Sequence, residues 1–259
     1  MSAAPIFLAA CTVINDTGIH TVGGSVPWEH DQDGPAAITR PQVLDSPYRA
    51  FGKLNLPDKL AFSAASLTLR ECSVADPDTT GIFLAIPGGS VSTDCLYRQS
   101  IEDGAPSPAL FSATLPSSPV TDIAIYYRLK GPNTVFPGGT SPLLSAIESA
   151  HHALLAGKAS GALVLYVEET TGEAPDLPLL PPFAAALYFT TELQSASTVP
   201  HCTCLPAEKE STVPQPHGCN RTLLVSLLKK LRARDSGQLT VPADGFRGYI
   251  SIQYTGKEP

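Results

Sequence analysis

The stretch PLLSAIESAHHALLAGKASGALVLYVE (142–168) decides the fold class of this chain. Its first part, residues 142–156, predicts a long helix that ends at Gly157. Its second part, residues 160–168, is a short continuous run of apolar and β-branched residues, which is typical of a strand buried on both faces. A helix that leads into such a strand indicates a buried α/β sheet.

The same alternation of helix and strand continues on both sides of this stretch. Strands are predicted at 5–15, 80–87, 182–191 and 247–254, and helices at 56–72, 90–103, 118–129 and 221–234. Residues 16–50 have the composition of a loop, as do the Pro-, Ser- and Thr-rich residues 193–220. We therefore expect one domain over residues 1–192, a loop over 193–220, and an extension of the same domain over 221–259.

Composition excludes several classes of function. The 259 residues are 43% hydrophobic and carry a formal net charge of -7, which argues against nucleic acid or an anionic membrane as the main partner. The sequence contains no run of eighteen apolar residues, so it predicts no membrane span. The six cysteines form no tight framework, so we expect free thiols and a cytoplasmic location.

Four segments follow one another in the order found in a known family. They are Arg128-Leu-Lys-Gly131-Pro132, Leu144-Ser-Ala-Ile147, His151-His-Ala-Leu-Leu-Ala-Gly157 and Ala162-Leu-Val-Leu-Tyr-Val-Glu168. This order resembles the nucleophile region of β-ketoacyl synthases, and the resemblance covers roughly residues 3–190. It is strongest to the short, N-terminal-half proteins that occur beside bacterial type II polyketide, aryl polyene and fatty-acid genes.

The resemblance implies a fold and an incomplete interior. We expect an α/β, thiolase-like half fold: a mixed five-stranded sheet with helices and a small C-terminal helix–strand extension. A half fold leaves apolar surface that its missing half would have covered, which predicts a strong complex with another chain.

The resemblance also places the nucleophile of the family, and there this chain departs from the pattern. The tenth residue, counted from Gly131, is Thr140, where the family has a cysteine. A threonine hydroxyl is a far weaker nucleophile than a thiolate unless a base activates it. The two catalytic histidines of the family lie in the half that this chain lacks. The resemblance therefore implies a protein with no catalytic residues and no cofactor, in which Thr140 marks a vestigial nucleophile position.

Residues 109–117 carry the sharpest expectation about function. In synthase dimers this stretch crosses the two-fold axis and lines the acyl tunnel of the partner, so Leu110 and Thr114 would face that tunnel with Phe111 beside them. Packing in this chain's own core is the alternative. Phe136, Gly138 and Gly139 would lie at the interface, where glycines permit close approach of a partner strand; an ordinary turn is the alternative.

These expectations combine into a non-catalytic, chain-length-factor-like partner of an active β-ketoacyl synthase. The complex would be a heterodimer or larger, and this chain would interact with acyl carrier protein only indirectly. One alternative is an acyl-transfer or thioester-hydrolysing enzyme that uses Thr140 or Ser141, with His151 or His152 as the nearest base. Another is a homodimer that binds acyl groups or carrier protein without a synthase.

Two features of the C-terminal region leave alternatives open. A structural zinc site and free loop cysteines both fit the soft ligands near the tail, which are His201, Cys202, Cys204, His217 and Cys219. The predicted helix 221–234 has leucines on one face and a basic C-terminal end. That basic end fits either the helix dipole or a docking surface for carrier protein.

Overall fold

The computed structural model describes residues 6–29, 34–138, 142–169, 180–191, 203–206, 219–233, 237–242 and 249–254. These residues form a seven-stranded sheet with helices on both faces and a separate three-stranded sheet. The strands are β1 Phe7–Asn15, β2 Gly18–Thr21, β3 Ser25–Pro27, β4 Thr80–Ala85, β5 Asn133–Phe136, β6 Gly161–Glu168, β7 Phe183–Thr190, β8 Thr203–Pro206, β9 Gly237–Pro242 and β10 Tyr249–Tyr254. The α-helices are α1 Arg40–Val43, α2 Leu56–Arg70, α3 Val91–Glu102, α4 Pro108–Ala113, α5 Ser118–Tyr127, α6 Pro142–Leu155 and α7 Cys219–Ala233.

The larger sheet is mixed, with the strand order β3-β2-β1-β7-β6-β4-β5. Strands β5 and β6 both run parallel to β4, whereas the pairs β6–β7, β7–β1, β1–β2 and β2–β3 are antiparallel. The α/β class and the mixed sheet are confirmed. Because β4, β5 and β6 are parallel, their carboxyl ends meet at one edge of the sheet.

The expected number of strands, five, was wrong. The hairpin β2–β3 extends the sheet beyond β1, inside residues that the composition assigned to a loop. These strands are short, and β3 is exposed along its whole length, so they carry no apolar pattern of their own. Pairing with β1 stabilises them, and such pairing leaves no signal in local composition.

The helices bury apolar faces on both sides of the sheet. Helix α2 packs on one face, and twelve of its fifteen residues are buried. Helices α6 and α7 cover the opposite face. The predicted leucine face of the C-terminal helix is confirmed, because every leucine in it is buried: Leu223, Leu224, Leu227, Leu228 and Leu231.

Polar contacts hold α7 against the sheet at both of its ends. Near its start, Arg221 donates from Nε to Glu168 and lies with its guanidinium carbon 5.2 Å from the ring centre of Phe183. Near its end, Arg232 donates to the carbonyl oxygen of Thr21 at 2.6 Å and to Oγ of Ser25 at 2.7 Å. The tail helix is thus fastened to β6, β7 and the β2–β3 hairpin.

The small sheet has the order β8-β10-β9, and both of its pairings are antiparallel. Strand β8 lies within residues 193–220, so part of the predicted loop is a strand. The predicted extension, residues 221–259, contains two strands, β9 and β10, and nearly all of α7, rather than one strand and one helix. Strand β8 is only four residues long, and pairing with β10 stabilises it.

Candidate functional site

The carboxyl ends of β4, β5 and β6 bring together the segments that the sequence singled out. Strand β4 leads through Gly89, whose φ is +60°, into α3. Strand β5 leads through Gly138 toward α6, and β6 leads to Glu169. Thr140, which the sequence predicts to be a vestigial nucleophile position, lies outside the described residues together with Gly139 and Ser141, between Gly138 and α6 in the chain. Its chemical role therefore stays a prediction.

The two histidines weighed as a base for Thr140 lie far along α6. His151 and His152 are nine and ten residues beyond Pro142 at the start of the helix, which is roughly 14–15 Å at the rise of an α-helix. Their ring centres are 6.1 Å apart, and His152 is exposed. A base must approach within hydrogen-bond distance of its nucleophile, so the position of these histidines does not favour the enzyme alternative.

Helices α3 and α4 form an arm, residues 91–117, that carries unusually exposed apolar side chains. Four of the eight large apolar side chains exposed in the described part of the chain belong to this arm: Leu96, Ile101, Phe111 and Leu115, at 51–60% exposure. Helix α4 itself, within the described chain, has no buried residue. Exposed apolar side chains, where they form a contiguous patch, mark surfaces that contact another protein.

The three arm residues predicted to reach the partner are not part of this chain's buried core. Phe111 is 60% exposed, and its ring centre lies 5.4 Å from that of Tyr97 on α3. Leu110 and Thr114 are half-buried and lie one helical turn apart. Thr114 donates from Oγ1 to the carbonyl oxygen of Phe111 at 2.8 Å, which leaves its methyl group as the apolar part of that position.

Strand β5 is an edge strand of the large sheet. Among the described residues it pairs only with β4. Phe136 is half-buried against the face covered by α6. A Cβ atom added to Gly138 would meet no described atom within 4 Å, so nothing described within this chain requires glycine there. An edge strand offers unpaired backbone groups to another chain.

The arm is fastened to the core by side chains at the starts of three helices. The backbone N–H of Ser92 donates to Oε1 of Glu169 at 2.9 Å, and the Ser92 hydroxyl donates to the other carboxylate oxygen. Oγ of Ser118 donates to Oδ2 of Asp58 at 2.8 Å. Nδ2 of Asn55 donates to the carbonyl oxygen of Ala113, at the end of α4, at 3.2 Å.

Burial shapes the electrostatics of these carboxyl groups. Burial raises the pKa of Asp58 to about 7, against a smaller opposing effect of the Ser118 hydrogen bond. Oδ1 of Asp58 is buried and has no hydrogen-bond partner among the described residues. Burial also raises the pKa of Glu169 and of Asp122 on α5. The first turn of a helix favours a negative charge, but here desolvation has the larger effect.

The sequence interpretation missed Asp58, Ser92 and Glu169. A signal for Asp58 was available, because Asn55 followed by Pro57 and Asp58 marks a helix start. Asn55 caps α2 by accepting from the backbone N–H of Asp58 at 2.9 Å. The pairing of Ser92 with Glu169 joins residues 77 positions apart, and no local pattern encodes it.

The structure bears differently on the two features predicted for the C-terminal region, the zinc site and the basic docking surface. His201, Cys202 and His217 lie outside the described residues, as do the side chains of Cys204 and Cys219, so the zinc site stays a prediction. No group of three metal-binding side chains occurs among the residues that the structure describes. Arg232 is not available to the predicted docking surface at the basic end of α7, because its guanidinium donates hydrogen bonds to the β2–β3 hairpin. None of the helices described is long and apolar enough to cross a bilayer.

No protein-family model and no curated protein matches the chain by sequence. Solved structures do match it. A complex titled ketosynthase (ApeO) with its chain length factor (ApeC), from Xenorhabdus doucetiae, matches at 17% identity over 96% of this chain and 99% of that one, with a TM-score of 0.57. The ishigamide ketosynthase/chain length factor matches at 20% identity over 85% of this chain and 73% of that one, with a TM-score of 0.60.

A third match is AntDE:AntF, titled a type II polyketide synthase acyl carrier protein in complex with its ketosynthase. It is 10% identical over 99% of this chain and 100% of that one, with a TM-score of 0.66. The predicted β-ketoacyl-synthase-like fold is confirmed. Two of the matched chains are about as long as this one, so the fold occurs at this length in solved structures.

Proposed function

We propose that this chain is the non-catalytic, chain-length-factor-like partner of an active β-ketoacyl synthase in type II polyketide biosynthesis, including aryl polyenes. It binds and stabilises the synthase and shapes the tunnel in which the acyl chain grows. The synthase performs the catalysis and contacts the loaded acyl carrier protein. This chain is located with the synthase in the cytoplasm. The solved structures that share its fold support this proposal, because the titles of two of them name a ketosynthase together with a chain length factor.

The observation that carries the proposal is the exposed apolar arm, together with edge strand β5, which the described residues leave open on one side. The arm leaves the sheet at the end of β4, next to edge strand β5. Phe111 and Leu115 of the arm are 60% and 59% exposed. Exposed apolar side chains and backbone groups that no described strand pairs with are the two contributions that a strand-paired dimer requires.

The arm also explains how a non-catalytic partner influences the condensation that the synthase performs. Leu110 on α4 and Thr114, which directly follows α4, are the residues that would contact the tunnel of the synthase. A larger side chain at either position shortens the space open to the growing chain, and a smaller one lengthens it. The size of these two residues therefore sets the length of the product.

Co-expression with the ketosynthase encoded beside its gene tests this proposal. We expect a stable heteromer by size-exclusion chromatography and condensation activity with loaded carrier protein. Activity that is unchanged in Thr140→Ala supports a non-catalytic partner. Activity that disappears in Thr140→Ala, while the heteromer persists, establishes the enzyme alternative instead. A homodimer that does not bind the synthase supports the third alternative.

A further inference from the structure

The arm lacks the apolar anchoring that holds the other helices in place. Within α3, Thr93 is the one buried residue, and α4 has none. Helix α2, by contrast, buries most of its length between the sheet and α5. An element with little buried apolar surface opens at low cost in free energy. Its position must therefore depend on polar contacts.

Glu169 makes the contact at the base of the arm. It follows β6 directly, so its backbone is held by one of the central strands of the sheet. Its two carboxylate oxygens accept from the backbone N–H and the hydroxyl of Ser92, in the first turn of α3. A carboxylate with two donors at a helix start gives a directional, charge-assisted attachment.

We infer that Glu169 is a positioning residue for the arm: it attaches α3 to the end of β6 and thereby decides where Leu110 and Thr114 lie. The consequence for the acyl tunnel rests on the proposed function, but the attachment does not. Asn55, which donates to the carbonyl oxygen of Ala113, is a second point of attachment at the other end of the arm. Removal of one attachment therefore loosens the arm without releasing it.

The charged groups around Glu169 make its attachment sensitive to substitution. Asp94 on α3 and the more distant Asp58 on α2 are the acidic groups that interact with it. Both repel a carboxylate, so the two hydrogen bonds from Ser92 keep Glu169 in place against like charge. A neutral amide relieves this repulsion, but it loses one of the two acceptors.

Hydrogen exchange on the isolated full-length chain tests the attachment. In Glu169→Gln we expect the amides of Asp94 and Phe111 to exchange about tenfold faster, as for the loss of one charge-assisted hydrogen bond. The amide of Ile82, in the central sheet, should be unchanged. Ser92→Ala removes the hydroxyl bond without changing charge and should give a smaller acceleration. Asp103→Asn is the matched control, because the side chain of Asp103 accepts from Gln99 of the arm and from no other residue that the structure describes.

The same variants in the heteromer test the consequence. We expect Glu169→Gln to broaden the distribution of product lengths, and Asp103→Asn to leave it as in the wild type. Arm amides that exchange at the wild-type rate in both Glu169→Gln and Ser92→Ala would overturn the attachment. Faster hydrogen exchange of the arm amides together with an unchanged distribution of product lengths would overturn the positioning role. If the wild-type chain binds no synthase, the proposed function fails, and exchange alone decides the attachment.

Discussion

The hydroxyl oxygen of Ser118 lies 2.8 Å from Oδ2 of Asp58 and joins the first turn of α5 to the first turn of α2. Asp58 is only 3% exposed, and its other carboxylate oxygen has no described partner. A carboxylate in such surroundings is costly to ionise, which accounts for its pKa of about 7. The base of the arm is therefore built on a group that titrates near neutral pH.

Replacement of Asp58 by Asn should stabilise the fold at neutral pH but not at pH 4. The folded pKa of about 7 lies above the ordinary value of 3.8, so the native state binds a proton that the unfolded state releases between these two pH values. The wild type thus loses stability as pH rises from about 4 to 7. Asn keeps the acceptor for Ser118 and removes this loss.

Urea unfolding at a series of pH values measures this effect. The difference in unfolding free energy between Asp58→Asn and the wild type should grow by about 1–4 kcal/mol between pH 4 and pH 8. The exposed Asp103→Asn is the control for the loss of one carboxylate. A constant difference across this range would contradict a raised pKa at Asp58.

Replacement of Phe111 by Asp should abolish the heteromer with the synthase while the chain stays folded. Phe111 is exposed, so a charge there does not disturb the core, but it would be buried without a partner in an interface. Val26→Asp is the matched control, because Val26 has a similar exposure, 58%, on β3 at the opposite edge of the sheet. Co-purification of both variants at the wild-type yield would exclude the arm as the binding surface.

Proline substitutions in β5 should separate strand pairing with a partner from pairing within the chain. The carbonyl oxygens of Pro132 and Phe136 accept from β4, so by alternation Thr134 also faces β4 and Val135 faces the open side. Val135→Pro removes an outward N–H and should weaken the heteromer with little loss of stability. Thr134→Pro removes an inward N–H and should lower the melting temperature of the isolated chain. A heteromer that is unaffected by Val135→Pro would show that β5 does not pair with the synthase.

Changes in size at the two tunnel positions should shift product length in opposite directions. Leu110→Ala enlarges the space beyond the growing chain and should lengthen the product, whereas Thr114→Phe fills that space and should shorten it. Mass spectrometry of the products of the heteromer measures both effects. Ser112→Phe is the control, because Ser112 lies on the exposed side of α4. Equal product lengths in all three variants would mean that α4 does not line the tunnel.

The sequence predicted the long elements well and the short ones poorly. Helices α2, α6 and α7 were predicted to within two residues at each end, because their apolar spacing is strong over many residues. Strands β2, β3, β5, β8 and β9 were missed, since all but β9 have only three or four residues and each depends on a neighbouring strand. Helix α4 was missed for a similar reason: it is six residues long and has no buried face.

The candidate site divides in the same way. The order of the segments around Gly131 and Ala162 is a property of sequence, and it predicted the positions in the chain of the nucleophile of the family and of the stretch 109–117. The exposure of Phe111 and the edge position of β5 could not be predicted, because both depend on which surfaces the rest of the fold leaves uncovered.

The sequence by itself determined the α/β class, the buried strands and the leucine face of the last helix. Each follows from the spacing of apolar residues along the chain, which is a local property and does not depend on distant contacts. Only the tertiary structure decided that Ser92 meets Glu169 and that Arg232 engages the β2–β3 hairpin. These pairs lie 77 and 207 or more residues apart. Their meeting depends on the order of strands in the sheet, which long-range packing selects and local propensity does not.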